Sequence, residues 1–114
     1  MKKKVDIFLT HINESINQIE DYMRGVSEKK FIADRKLQDA VIRRLEIIGE
    51  ATKNLTIDFV DKYPKIDWRS FAGLRDKLIH HYFGVNLKRI WKIIKDELPQ
   101  LKKYLKEIQE LKNE

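Results

Sequence analysis

Apolar residues along this chain recur at spacings of three and four, the rhythm of helices with one buried face. Val5, Phe8, Leu9, Ile12, Ile16, Ile19 and Met23 set it first and predict a helix from about Lys3 to Arg24. Gly25, followed by Ser27, ends that helix, and Glu28, Lys29 and Lys30 read as a short link. Leu37, Val41, Leu45, Ile48, Ala51 and Leu55 form the stripe of a second helix, from near Phe31 to about Leu55. Ile42 and Ile47 widen the stripe, which predicts a central position. Gly49 sits inside it, although Gly in a helix costs about 1 kcal/mol relative to Ala, so a neighbouring helix is expected to pass close by.

Ile57 to Tyr63 is a short apolar-acidic stretch of one or two helical turns, broken at Tyr63-Pro64 because the residue before Pro is pushed out of helical angles. Asp67 is a candidate N-cap for a third long helix, Trp68 to about Phe83, with Gly84 as its stop. Asn86 is placed to cap a last helix from Leu87 to about Leu111, with Leu87, Ile90, Trp91, Ile94, Leu98, Leu101, Leu105 and Ile108 on one face. Pro99 is expected to kink it or split it in two. The pattern predicts an all-α fold: an antiparallel up-and-down bundle of four long helices plus one short helical segment, with residues 1–114 as a single domain.

Composition narrows the function classes. The chain has no Cys, which removes disulfides, thiolate metal sites and a cysteine nucleophile, and fits a cytoplasmic protein. Apolar runs are too short to span a bilayer or to read as a secretory signal. The net charge of +6 favours an anionic partner without choosing between nucleic acid, nucleotide, acidic protein and membrane surface.

The segment Trp68 to Phe83 holds the main anomaly. At about 100° per residue, Trp68, Phe71, Leu78, Ile79 and Tyr82 fall within roughly 60° of Arg75, so Arg75 projects from an apolar face. A guanidinium keeps its proton, so it requires an anion, a carboxylate such as Glu46 or Glu50, or a wet cleft. His80 and His81, adjacent near a helix end, suit the helix dipole better than a metal, and His11 is remote in sequence, so no metal site is expected.

The run Arg75-Asp76-Lys77-Leu78-Ile79-His80-His81-Tyr82 has the RxxxxHxY spacing. It follows Ile66-Asp67-Trp68-Arg69 and precedes Asn86-Leu87, and the chain also carries Ala40-Val41-Ile42-Arg43-Arg44-Leu45-Glu46-Ile47-Ile48-Gly49-Glu50-Ala51. Together these resemble the HepT-like branch of the HEPN superfamily, small helical ribonuclease toxins. The resemblance implies a homodimer whose Arg-His motifs, here Arg75 and His80, line a shared cleft. It also implies a metal-independent endoribonuclease without a cofactor, acting as the toxin of a type VII-like toxin–antitoxin pair. The implied antitoxin is an MntA-type minimal nucleotidyltransferase, and the position matching the family's AMP acceptor is Tyr82.

The residues suit that chemistry. RNA is cut without a metal when its own 2′-OH attacks the adjacent phosphorus. An imidazole, with an ordinary pKa of about 6.5, moves protons near neutral pH, a role for His80. Arg75 offers a planar fork to phosphate oxygens as charge builds, and Asp76, four residues before His80, is placed to orient the imidazole. On an ideal helix Arg75 and His80 lie roughly 140° apart, a divergence that a cleft between two protomers removes. Lys88, Lys92, Lys95, Lys102, Lys103 and Lys106 share an arc of roughly 100° on the last helix, either a solvated face or a track for RNA phosphates or an acidic antitoxin. The rival readings are a non-catalytic nucleotide- or substrate-binding subunit serving a nucleotidyltransferase, and a helical interaction protein in which Arg75 is a paired core residue.

Overall fold

A computed structural model describes residues 2–80 and 86–112, with side chains for 4–78 and 86–111. The described residues form an all-α bundle and contain no strand. The helices are α1 (Lys2–Met23), α2 (Glu28–Ala33), α3 (Arg35–Lys53), α4 (Ile57–Lys62), α5 (Trp68–Ala72), α6 (Leu74–His80), α7 (Leu87–Lys92) and α8 (Leu98–Lys112), with a π-helical turn, Ile93–Glu97, between the last two.

The apolar stripes become one core. Ile12, Ile16 and Ile19 of α1, Val41, Leu45 and Ile48 of α3, and Leu98, Leu101, Leu105 and Ile108 of α8 are all buried. α3 is central, as its wide stripe predicts, and packs against α1, α2, α5 and α6, while α8 packs on α1 and α7 on α2. Gly25 ends the first helix in the left-handed region, φ +72°, where a side chain would be strained.

Three predicted helices differ from the observed ones. The second starts earlier and is divided: Ser27 caps α2 by accepting from the Lys30 N–H, and Asp34 adopts an extended conformation and accepts from the Leu37 N–H to start α3. The buried Gln38 amide then donates to the carbonyls of Phe31 and Ile32, satisfying the end of α2 that the break leaves open. The link expected at Glu28 to Lys30 is therefore the first turn of a helix. The third predicted helix begins at Trp68 as expected, with the Asp67 side chain accepting from the Ser70 N–H, but is interrupted at Gly73. The predicted stop at Gly84 lies outside the described residues.

The last helix, capped by Asn86 as predicted, resolves its proline without a loop. Pro99 has no N–H, and its ring would press on the carbonyl four residues back. The turn just before it widens into a π turn, in which the Leu98 N–H reaches back to the Ile93 carbonyl, and Pro99 falls in the first turn of α8, where its missing donor is tolerated. A π turn takes one extra residue into the ladder, displacing everything beyond it by roughly 100° relative to a continuous α-helix.

Candidate active site

Arg75 and Asp76 stand in the first turn of α6, and that helix starts where α3 crosses it most closely. The crossing is made by Gly49. A Cβ built there would lie 2.9 Å from the Arg75 backbone nitrogen, 3.1 Å from the Phe71 carbonyl oxygen and 3.3 Å from the Leu74 Cβ. The close neighbour expected from the sequence is thus the junction of α5 and α6, and the Gly73 interruption falls inside the same junction. Leu74 and Leu78 are buried in the core, which fixes the rotation of α6.

Arg75 is not buried, which corrects the expectation of a guanidinium in the middle of an apolar face. That face is carried by Leu74 and Leu78 with Phe71 and Trp68, and Arg75 lies at its border, with 48% of its side chain exposed. The interruption at Gly73 makes the difference, because an unbroken helix is what had placed Trp68 and Phe71 around Arg75. Its Nη1 lies 3.5 Å from Glu50 Oε2, the other half of an exposed pair. Such pairs contribute about 0–1 kcal/mol, so this contact neither fixes the fold nor ties up the cation firmly.

Arg75 forms one end of an open pocket of about 190 Å³ between α1 and α3. Phe8 and His11 of α1 face it, with their rings edge to face at 6.4 Å. Arg43, Glu46 and Glu50 of α3 line it as well, with Asn54 just beyond the end of that helix. Among the described residues no group of three or more His, Asp and Glu side chains is arranged to hold a metal ion.

Asp76 is exposed, and α6 is described as far as His80, whose side chain lies outside the described residues, as does all of Tyr82. Arg75 and His80 occupy one uninterrupted helix, so their positions remain roughly 140° apart. Lys88, Lys92, Lys95, Lys102, Lys103 and Lys106 are all exposed. The π turn spreads them over about half the circumference instead of the roughly 100° expected of a continuous helix. Lys102 Nζ is held 2.6 Å from Glu20 Oε1, and Lys95 Nζ lies 4.8 Å from the centre of the Trp91 ring. Their helix packs on α1 and α2 and Arg75's on α3, and none of these lysines lines the pocket beside Arg75. Sequence reasoning missed His11, Arg43 and Asn54. Nothing in a spacing pattern connects His11 to an arginine on another helix.

Comparison with known proteins places these features in a family. Residues 12–108 match the family described as ribonuclease HepT-like. A Methanocaldococcus jannaschii protein named "Gamma-glutamylcyclotransferase and putative RNase" is 50% identical over 96% of this chain, and the chain spans only 50% of that protein's length. The "Probable ribonuclease HepT" of Thermococcus cleftensis is 48% identical over 90% of this chain and 93% of its own length. A Caldanaerobacter subterraneus protein named "Putative RNase" is 46% identical over 89% of this chain and 90% of its own length. No solved structure matches the chain. No helix among the described residues is long and apolar enough to cross a membrane.

Proposed function

This chain belongs to the HepT-like ribonuclease family, and from that premise we propose that it is a metal-independent endoribonuclease of the HEPN type. The observation that carries this reading is Arg75, a guanidinium held at the edge of an open pocket by backbone packing on Gly49 and engaged, among the described residues, by an exposed carboxylate that a phosphate can displace. In the proposed reaction the 2′-OH of one nucleotide loses its proton to a base as its oxygen attacks the adjacent phosphorus. The bond from phosphorus to the 5′-oxygen breaks, and that oxygen takes a proton, leaving a 2′,3′-cyclic phosphate and a 5′-hydroxyl. Arg75 stabilises the charge on the phosphoryl oxygens, His80 transfers the protons and Asp76 orients His80. The divergence of Arg75 and His80 on α6 supports a homodimer in which each cleft takes its groups from two protomers.

The proposal extends to regulation. The chain acts as a toxin, its partner is an MntA-type nucleotidyltransferase antitoxin, and Tyr82 accepts AMP, bringing a phosphate and a nucleoside close to Arg75 in the chain. Incubation with that enzyme and ATP, followed by peptide mass analysis, is expected to place AMP on Tyr82 and to silence cleavage. AMP on another residue alone, or full activity after modification, rejects the switch. The activity itself is tested by incubating the purified protein with RNA in the presence of chelator. Cleavage by the wild type and its loss in Arg75→Ala are expected. Absence of cleavage with nucleotide binding retained would replace the enzyme with a non-catalytic nucleotide-binding subunit.

A further inference from the structure

The pocket beside Arg75 has a lining that phosphate binding alone does not call for. Arg43 and Arg75 are cationic, but Glu46 and Glu50 cancel their charge, and carboxylates repel a bare phosphate backbone. A ligand suited to this lining carries an anion and hydrogen-bond donors together. Phe8, with Ile47 and Ala51, adds an apolar wall. Among the described residues neither Arg43 nor Glu46 has a hydrogen-bond or ion-pair partner, so both are available to a ligand. At about 190 Å³ the pocket is below the roughly 300–1,000 Å³ of sites that enclose a whole small-molecule ligand, which fits one base better than a dinucleotide.

We propose that this pocket is a nucleobase subsite, in which the base next to the phosphate on Arg75 packs against Phe8 and His11 and turns a donor edge toward Glu46. It rests on the ribonuclease reading for the identity of that phosphate. The acidic wall sets the preference among bases. Guanine presents two adjacent donors, N1–H and the 2-amino group, which match the two oxygens of one carboxylate. Adenine and cytosine present an amino group beside an acceptor. Uracil presents a single N–H between two carbonyl oxygens, both of which a carboxylate repels. The order expected is guanine first, adenine and cytosine next, uracil last. His11 reports on the site because its ring forms part of the wall.

The test follows the ring-proton NMR signal of His11, assigned with the His11→Gln variant, while GMP, AMP, CMP, UMP or inorganic phosphate is added to the full chain. A saturable shift with GMP, weaker with UMP and absent with phosphate, is the expected result. In Glu46→Gln, checked for an unchanged melting temperature, the preference for GMP over UMP should collapse by about 5- to 150-fold, the discrimination of one bidentate base contact. No response of His11 to any nucleotide overturns the subsite, as does an equal response to phosphate alone or an unchanged preference in folded Glu46→Gln. RNA oligonucleotides differing at one base are digested in parallel. A guanosine-selective His11 shift without RNA cleavage supports the subsite while rejecting the ribonuclease reading on which its phosphate assignment rests.

Discussion

The crossing of α3 and α6 and the lysine-bearing last helix were both candidates for contact with RNA, and the fold treats them oppositely. At the crossing, a glycine brings two backbones so close that a single methyl group would collide with the Arg75 nitrogen. The position of Arg75 is set by main chain, and only its terminal group has freedom. On the last helix, six lysines extend from an exposed surface, one drawn to Glu20 and another lying over Trp91, and a π turn spreads them around the helix. A cation contributes to transition-state stabilisation when it is preorganised. Solvated lysines on long stems contribute charge in bulk, which salt screens.

If that contrast holds, the largest effect belongs to Arg75. Arg75→Ala is expected to lower the rate of RNA cleavage by about 10²–10³-fold, by analogy with loss of one oxyanion donor. Circular dichroism should show the helical content unchanged, because the Glu50 pair is exposed. Arg75→Lys should rescue little, since a point charge does not replace the planar fork. Unfolding of Arg75→Ala would instead mark the residue as structural. His80→Ala is expected to fall in the same class, and wild-type cleavage by it would remove the proton-transfer assignment.

A subtler change attacks the packing that holds the arginine. Gly49→Ala must push the start of α6 away from α3, because the nearest atoms are backbone and cannot swing aside. Overpacking of this kind costs about 1–3 kcal/mol, readable as a lower midpoint in urea, and cleavage should fall with it although Gly49 touches no substrate. A Gly49→Ala protein of full stability and activity would mean that the crossing does not position Arg75.

The lysine helix should give the smallest responses. Replacing Lys88, Lys92 or Lys95 singly with Ala should weaken RNA binding uniformly across sequences and reduce the salt slope by about 1 at most. Lys102→Ala breaks the Glu20 pair and should change stability by about 0.2–1 kcal/mol. A loss of cleavage from any one of these as large as that from Arg75→Ala would reverse the comparison.

Much of this was legible along the chain because the signals are local. Apolar spacing marked the faces that Ile12, Val41, Leu45 and Leu101 bury, and Gly25, Asp67 and Asn86 terminate or cap helices where short-range chemistry placed them. Ser27 and Asp34 are equally local caps, but Ser27 read together with Gly25 as the end of the first helix, and the second helix was expected to run unbroken through Asp34. The Arg75-to-Tyr82 motif was readable as spacing, and the family resemblance it helped to carry agrees with the match over residues 12–108.

What the sequence determined, then, was the set of amphipathic helices, most of their ends and the motif, all properties of residues a few positions apart. Three features waited for the tertiary structure. The helix carrying Arg75 breaks at Gly73, in the junction where α3 crosses it. The last helix runs on through Pro99 by widening into a π turn, which spreads the lysines. His11 and Arg75 share a pocket because α1 and α6 both pack on α3, and periodicity along one helix contains no information about which face of another it will meet.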